Sequence, residues 1–420
     1  MMEAVKKFFK TLLLLLLIAA MGLGIWHFAA PVREQAAPYI EFAGERIGFT
    51  SARFRTPTLF GYLRKDSIRA GSQELDLGKL DPSQLTLEVP EGYECSLVVK
   101  KEGEQYFSGG ADDFARQSFD NGDYTITVTL HCDETQETDW ASFFYVVDYT
   151  VDIRPSAVFS AEKALQGDII TVLVNTGRSD AEPAISTDLG KPVFASLGNR
   201  NYVSYVPVGF AQTPGEYEIK VSAGGESFTG KVTVEEREYT VQNLTIDEET
   251  VANTTGAGAS IDYAQKITPT LYTSEKDILW DGLFIQPIEG TITTEFGLYR
   301  YTNGSSRAER HTGIDIAAAE GTPVPASNSG KVVYAGDVIS TGGSVVIEHG
   351  CGLKTYYYHL SSVDVKTGDV VSKGDIIGKV GSTGYATGPH LHFEVKLGEY
   401  ALSPWELFDG SSSIYSAGQK

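Results

Sequence analysis

The sequence predicts a mainly β protein with a single apolar helix at its N-terminus. The chain has 420 residues, which suggests two to four domains. Its 44 glycines and many Val, Thr and Tyr residues favour strands joined by tight turns. An apolar content of 42% is sufficient for sizeable cores and argues against a disordered chain.

The N-terminal element is an apolar segment preceded by positive charge. Lys6, Lys7 and Lys10 precede an apolar run over 12–30. Such a run is just long enough to cross a hydrocarbon core of about 30 Å at about 1.5 Å per residue. Positive charge on its N-terminal side favours a cytoplasmic N-terminus. We therefore predict that residues 1–33 form a cytoplasmic tip and a transmembrane helix, with the bulk of the chain outside the cell membrane.

A cleaved signal peptide is the alternative interpretation of this segment. The run lacks a good cleavage site, because His27 and Phe28 occupy positions where small residues are needed before Ala29 and Ala30. Both interpretations export the residues after about position 31, and cleavage would make the protein secreted.

Two strand-rich regions follow, and we predict that each is a β-sandwich-like domain. In residues 34–150 the alternating run that begins at Tyr124 follows the turn sequence Asn121-Gly-Asp. In residues 151–238 a similar run follows Pro214-Gly. Neither region contains a compact catalytic set, so both are interpreted as spacers or as modules that bind envelope proteins.

The cysteines leave two interpretations open. Cys95 and Cys132 lie in the same exported domain, where a disulfide is permitted and would add about 3–4 kcal/mol in the chain-entropy model. Two buried thiols are the alternative, because a sequence does not show that the two Cα atoms approach each other. Cys351 is alone in its region, and we expect a packed thiol.

The C-terminal third has a different composition. Residues 239–279 are mixed and polar and are interpreted as a linker. From residue 280 the strands become short, and five of the seven histidines occur there. We predict a separate domain over 280–408, followed by a flexible Ser- and Gly-rich tail over 409–420. The net charge of −21 excludes general nucleic-acid binding, because a polyanion would be repelled.

Three segments of this domain place polar side chains on one face of a strand. Alternation puts His311 and Asp315 on one face and the isoleucines between and after them on the other. In the same way His390 and His392 share a face. In the segment between them, alternation predicts that His359 shares a face with Tyr357.

These four histidines and one aspartate suggest zinc chemistry. Zinc takes imidazole nitrogen and carboxylate oxygen, and a catalytic site keeps one position for water. Three ligands with two further imidazoles suit a hydrolase, in which the metal lowers the pKa of water and an imidazole moves the proton. The helical His-Glu-x-x-His motif is absent, so glutamate is not the obvious base.

Over about residues 280–405 the sequence resembles the lysostaphin and LytM-type zinc metalloendopeptidases, which hydrolyse peptidoglycan peptides. The motifs that carry this resemblance are Phe296-Gly, Asn303-Gly, His311-Thr-Gly-Ile-Asp, Gly321-Thr-Pro-Val-Pro-Ala, His349-Gly, Tyr358-His-Leu-Ser, Gly368-Asp-Val-Val-Ser-Lys-Gly and Gly388-Pro-His-Leu-His-Phe-Glu.

The resemblance implies a small all-β domain with zinc at the floor of a groove. It implies that His311, Asp315 and His392 bind Zn²⁺ and that His359 and His390 act in catalysis, with their individual roles unassigned. All five positions match the family pattern. Tyr301 is a candidate for the tyrosine that some members place upstream of the first ligand, and His349 is expected to be structural.

The implied function is hydrolysis of peptide bonds in stem peptides or cross-bridges during cell-wall remodelling. A non-catalytic wall-binding scaffold, or an activator of another wall hydrolase, is the alternative, and the intact ligand set argues against it. A lipoyl or biotinyl carrier is suggested by the hairpin-like glycines at 368–378, but it would leave the five polar residues unexplained.

Overall fold

The computed structural model describes residues 2–30, 36–58, 63–133, 140–178 and 181–417. The chain forms two compact units, Met1–Ile153 and Arg154–Lys420. Strands dominate both units and one long apolar helix begins the chain, so the predicted fold class is confirmed. The predicted boundary at 150/151 lies next to the division between the units, and the predicted boundaries at 238/239 and 279/280 lie inside the second unit.

The first unit begins with helix α1 (Met2–Ala29), which has no buried residue. It is long and apolar enough to cross a membrane, a test that a signal sequence also passes. The rest of the unit contains β1 (Ile40–Phe42), β2 (Glu45–Ile47), β3 (Ser51–Thr58), β4 (Leu63–Ala70), β5 (Leu75–Leu80), β6 (Leu87–Glu88), β7 (Glu94–Lys101), β8 (Glu104–Gly109), α2 (Ala111–Phe114), β9 (Gly122–Asp133) and β10 (Trp140–Val151).

These strands form a three-stranded sheet, β2-β1-β6, and a seven-stranded sheet in the order β4-β3-β10-β9-β7-β8, with β5 parallel to β10. Alternate residues of β10 are buried, as expected for a strand with one face on a core. Cys95 and Cys132 lie in the neighbouring strands β7 and β9, and both side chains are half-buried.

The second unit begins with a β-sandwich. Its strands are β11 (Ser156–Phe159), β12 (Lys163–Leu165), β13 (Ile169–Asn175), β14 (Ala184–Thr187), β15 (Phe194–Gly198), β16 (Asn201–Pro207), β17 (Gly215–Ala223) and β18 (Glu226–Glu235). They form two four-stranded sheets, β11-β13-β16-β15 and β12-β18-β17-β14. Buried residues of both sheets, such as Val172 and Val232, meet in one core.

Residues 239–279 are packed against their surroundings. They contain β19 (Val241–Leu244), α3 (Glu248–Thr254), α4 (Ala257–Lys266) and a 3-10 turn over Thr268–Tyr272. Ile267 at the end of α4 is fully buried in a cluster with Val338, Val346, Tyr356 and Tyr358. This segment therefore covers one face of the C-terminal sheet.

That sheet has ten strands and carries four of the five predicted site residues, Asp315, His359, His390 and His392. The C-terminal elements are β20 (Thr291–Thr294), β21 (Tyr299–Thr302), β22 (Glu309–Arg310), β23 (Ile314–Ala317), β24 (Pro323–Pro325), β25 (Gly330–Val338), β26 (Gly342–Gly350), β27 (Leu353–Val363), β28 (Val370–Val371), β29 (Ile376–Val380), β30 (His390–Leu397), β31 (Tyr400–Leu402) and α5 (Trp405–Asp409). The order is β20-β23-β30-β27-β26-β25-β28, with β24, β29 and β31 at its margins. β19, β21 and β22 form a separate small sheet.

The C-terminal sheet and the sandwich share a hydrophobic core. Val203 and Tyr205 of β16 belong to the same buried cluster as Trp280 and Phe284. Ile414, in the predicted tail, is fully buried in this cluster. The described part of that tail is therefore packed, and its last residues, 418–420, lie outside the described residues.

Candidate metal centre and active site

Strand register brings the first and last predicted motifs together. β23 and β30 are antiparallel neighbours, and Asp315 lies directly opposite His392. The alternate residues Ile314, Ile316 and Phe393 face the hydrophobic core, as the sequence pattern predicts. One sheet face therefore carries the polar side chains while the other is buried.

The turn before β23 positions His311. Its backbone N–H donates to the carbonyl of Leu298, and its carbonyl accepts from Gly297, at 3.0 and 2.8 Å. Gly313 follows, and a Cβ atom there would lie 2.1 Å from the carbonyl oxygen of Phe393. Only glycine permits this close approach of the two backbones.

His311, Asp315 and His392 form a compact donor set. Asp315 Oδ1 lies 3.0 Å from His311 Nε2 and 2.7 Å from His392 Nδ1, and the two nitrogens are 3.0 Å apart. All three residues are buried, and their donor atoms lie within 4.8 Å of one another. Such a set has the chemistry of a zinc or other transition-metal site.

In His311 and His392, the inner nitrogen is the one that faces Asp315 and the outer nitrogen is the other one. Each outer nitrogen has its own hydrogen-bond acceptor. His311 Nδ1–H donates to the carbonyl of Glu295 at 3.0 Å, and His392 Nε2–H donates to Glu394 Oε1 at 3.1 Å. In the neutral rings this leaves both inner nitrogens with a lone pair directed at the carboxylate. Two lone pairs and a carboxylate at such short range need a shared cation, so the residues fit a metal ion.

The charges around this donor set favour a proton on His392. Burial opposes a charge on His392, but the carboxylates of Asp315 and Glu394 outweigh it and raise the pKa of His392 to about 9. Because a ligating imidazole must be neutral, metal binding has to release this proton.

Glu394 is the centre of a second buried group. Burial alone would raise the pKa of Glu394, but the Lys396 ammonium and His392 hold it below its usual range. Lys396 Nζ lies 2.6 Å from Glu394 Oε2, and Thr312 donates its hydroxyl to Glu394 Oε1. The ring of Tyr358 stacks on His392 at 5.6 Å with an interplanar angle of 5°. These contacts fix the orientation of His392.

His359 and His390 lie side by side next to the donor set. Their ring centroids are 4.8 Å apart. The Nδ1–H group of His359 donates to the carbonyl of Thr383 at 2.7 Å, and that of His390 to the carbonyl of Gly388 at 2.8 Å. A carbonyl only accepts, so in the neutral rings Nε2 carries the lone pair, and Nε2 of His390 lies 3.8 Å from Asp315 Oδ1. Burial, together with His390 and His392, lowers the pKa of His359 to about 3, which keeps its ring neutral.

The predicted facing of His359 is wrong. Tyr357 packs in the core against Phe393, whereas His359 faces the site. His359 has a φ of 62°, in the left-handed region that non-glycine residues rarely adopt. This residue interrupts the alternation, so its side chain turns to the face opposite Tyr357.

All five predicted residues line one cavity of about 650 Å³. One wall comes from residues that precede the catalytic motifs, namely Gln242, Leu244, Ile246, Thr254, Thr255 and Tyr263. The segments around 340 and 385–389 also line the cavity.

Tyr301 and His349, which the sequence analysis also named, do not line the cavity. Arg300, the neighbour of Tyr301 in the chain, lines it instead. His349 is fully buried, with its ring nitrogens 2.7 Å from the carbonyl of Ser329 and 2.8 Å from Thr355 Oγ1.

The sequence reasoning did not identify Arg300 or Glu394. Glu394 could have been found, because it lies two residues after His392 and so shares its strand face. Arg300 had no such signal, because its position depends on how β21 pairs.

Three buried donors with two free imidazoles beside them are the arrangement of a mononuclear metallohydrolase. Comparison with known proteins gives the particular family. Residues 309–404 match the model of peptidase family M23. The C-terminal region of the chain belongs to this family, which includes lysostaphin.

Three relatives illustrate the relationship. The DD-carboxypeptidase/endopeptidase Mpg of Neisseria meningitidis is 42% identical over 124 residues, 29% of this chain and 28% of that protein. The peptidoglycan DD-endopeptidase ShyA of Vibrio cholerae is 43% identical over 104 residues, 25% of this chain and 24% of that protein.

The solved catalytic domain of lysostaphin from Staphylococcus simulans is 37% identical, with 28% of this chain and 90% of that domain covered and a TM-score of 0.25. The matched part of the chain spans less than a third of the length of Mpg and of ShyA. The kinship concerns the C-terminal region and rests on sequence identity.

Proposed function

We propose that the protein is a zinc-dependent endopeptidase that hydrolyses peptide bonds of peptidoglycan stem peptides or cross-bridges. The observation that carries this proposal is the convergence of three buried donors and two free imidazoles in one cavity. The named activities of Mpg, ShyA and lysostaphin support the substrate class.

His311, Asp315 and His392 would hold the zinc ion. A bound zinc ion supplies a lowered pKa for its water and polarises the carbonyl of the scissile bond. Glu295 and Glu394 keep the two histidines in the tautomers that such binding requires.

His359 and His390 would move protons and stabilise charge. The free Nε2 atom of one ring accepts a proton from the attacking water and then passes it to the leaving amine. The other ring, when protonated, donates a hydrogen bond to the developing oxyanion.

The test is digestion of purified sacculi by the purified protein, with mass spectrometry of the soluble products. We expect fragments with new amino and carboxyl termini, and no such fragments after chelation or with His390→Ala. Release of glycan fragments alone would contradict peptide-bond hydrolysis, and no release by zinc-loaded protein would favour the scaffold or activator alternative.

We also propose that α1 anchors the protein in the cell membrane with the bulk of the chain outside. The lysines before the apolar run carry this orientation. A reporter fused after residue 420 is expected to be active only outside the cytoplasm. Cytoplasmic reporter activity would contradict the orientation, and release of the reporter into the medium would indicate cleavage.

A further inference from the structure

An arginine outside the matched family region contacts the proposed carboxylate ligand. Arg300 Nη2 lies 2.9 Å from Asp315 Oδ2, and the side chains are only 16% and 8% exposed. The same nitrogen donates to Thr294 Oγ1 at 3.2 Å. Arg300 precedes residues 309–404, so the family match assigns it no role.

Arg300 is held in turn by a residue of β19. Its Nε–H donates to Gln242 Oε1 at 3.1 Å, and Gln242 Nε2 lies 3.4 Å from Thr294 Oγ1. Gln242 and Arg300 are direct partners in the parallel pairing of β19 and β21. Thr294 and Asp315 are likewise partners in β20 and β23. The guanidinium group of Arg300 is thus held by side chains from two strand pairings, β19 with β21 and β20 with β23.

The two carboxylate oxygens of Asp315 therefore have different partners. Oδ2 accepts from Arg300, while Oδ1 faces the inner nitrogens of His311 and His392. The planar guanidinium has donors in fixed directions, so it restrains rotation of the carboxylate more than an ammonium would.

We propose that Arg300 is a positioning residue that directs Asp315 Oδ1 at the metal, and that Gln242 holds Arg300 for this purpose. The inference presupposes the metal site of the proposed function. It makes β19, which precedes the catalytic motifs, part of the support of the metal centre. Outer hydrogen-bond partners of metal ligands typically contribute about 10- to 100-fold in metal affinity or activity.

A purely electrostatic effect would have the opposite sign. A guanidinium charge close to a divalent cation repels it, so loss of Arg300 would tighten zinc binding if repulsion outweighed positioning. The sign of the change in affinity therefore distinguishes the two effects.

The experiment measures zinc affinity by chelator competition on the full-length protein and three variants. Arg300→Met is expected to bind zinc about 10- to 100-fold more weakly. Arg300→Lys keeps the positive charge but lacks the planar guanidinium group with its donors in fixed directions, so we expect an intermediate loss of zinc affinity. Gln242→Leu removes no charge and should weaken zinc binding in the same direction by less. Lys331→Met, which breaks the exposed pair with Glu275, is the matched control and should bind zinc normally.

Unchanged or tighter zinc binding by Arg300→Met would overturn the positioning role. If that variant does not fold, normal zinc binding by Gln242→Leu would overturn it. Failure of the unaltered protein to bind zinc would instead refute the proposed function. With saturating zinc, a positioning role predicts that kcat recovers in Gln242→Leu, whereas a substrate-binding role predicts a persistent rise in KM.

Discussion

Two kinds of histidine lie in the cavity, and they differ in what their inner nitrogens meet. The inner nitrogens of His311 and His392 converge on the carboxylate of Asp315. His359 and His390 instead donate Nδ1–H to backbone carbonyls, and the nearer of their Nε2 atoms to Asp315, that of His390, is 3.8 Å from Oδ1. In the proposed function the first pair binds the metal ion and the second exchanges protons.

Substitution should separate these two kinds of residue. Replacing His311, Asp315 or His392 by Ala removes a metal donor, so bound zinc and activity should fall together. Replacing His359 or His390 by Ala should leave zinc near one per chain and lower wall digestion by about 100- to 10,000-fold. The measurements are atomic emission for zinc and the rate of sacculus digestion.

His349→Ala is the control outside the cavity and should keep zinc wherever the variant folds. If His390→Ala lost its zinc while His392→Ala kept it, the two histidines would have exchanged their proposed roles.

His349 should make the protein sensitive to acid. Burial lowers its pKa from 6.5 to about 4 in the folded protein. As pH falls below 6.5, the unfolded chain takes up a proton that the folded chain refuses, so stability is lost down to about pH 4. The loss attributable to this residue is about 3 kcal/mol. Urea unfolding at pH 7, 6 and 5 measures it.

His349→Gln cannot titrate, so its stability should fall less steeply over the same pH range than that of the unaltered protein. Parallel curves for the two proteins would show that this histidine is not the source of the acid sensitivity.

At the scale of single residues, strand alternation predicted the facing of Asp315, His390 and His392 because β23 and β30 are regular there. It failed for His359, where one left-handed residue interrupts β27. Arg300 was out of reach for a different reason: its contact with Asp315 depends on strand pairing, and pairing is not encoded in the spacing of one segment.

Among the elements, the segment over 239–279 differs most from its interpretation as a linker. Its polar composition conceals a few buried apolar residues, of which Ile267 is fully buried against the C-terminal sheet. Lys266 Nζ donates to the carbonyl of Asp337 at 2.8 Å, and Asp262 accepts from the backbone of Ile339 at 2.8 Å. These contacts hold α4 in place beside the cavity.

The packing of α4 can be tested with two isoleucines near each other. Ile267→Ala should destabilise the protein by about 2–5 kcal/mol, because it deletes a side chain from a closed cluster. Ile261 lies in the same helix and is 57% exposed, so Ile261→Ala should change stability by less than about 0.5 kcal/mol. Urea denaturation compares them, and equal effects would mean that α4 is not packed as described.

In the second unit as a whole, the sandwich and the C-terminal sheet are joined by more than a chain connection. Tyr205 is 3% exposed, and its ring lies 5.5 Å from that of Trp280. Arg237 bridges Asp168 of the sandwich and Glu406 of α5 at 2.7 and 2.8 Å. The sequence showed two successive strand patterns but not this shared core, because the residues that form it are far apart in the chain.

Loss of one ring at this junction should affect both parts together. Tyr205→Ala should destabilise the unit by about 3–5 kcal/mol, as for other large-to-small changes of a buried aromatic residue. Zinc release and loss of β-sheet signal should then occur at the same lowered urea concentration. Val158→Ala, at a 60% exposed position of the sandwich, is the control and should leave both midpoints unchanged.

Retention of zinc after the sandwich signal is lost would show instead that the two parts unfold independently.

The shared core also bears on how such chains can be recombined. A gene fusion that transfers only residues 309–404, the part matched to the family, would leave behind Trp280 and Phe284 of the shared core as well as Arg300 and Gln242. A hybrid enzyme that receives residues 154–420 intact keeps each of these contacts. The part of the chain to transfer in protein engineering is therefore larger than the region matched to the family.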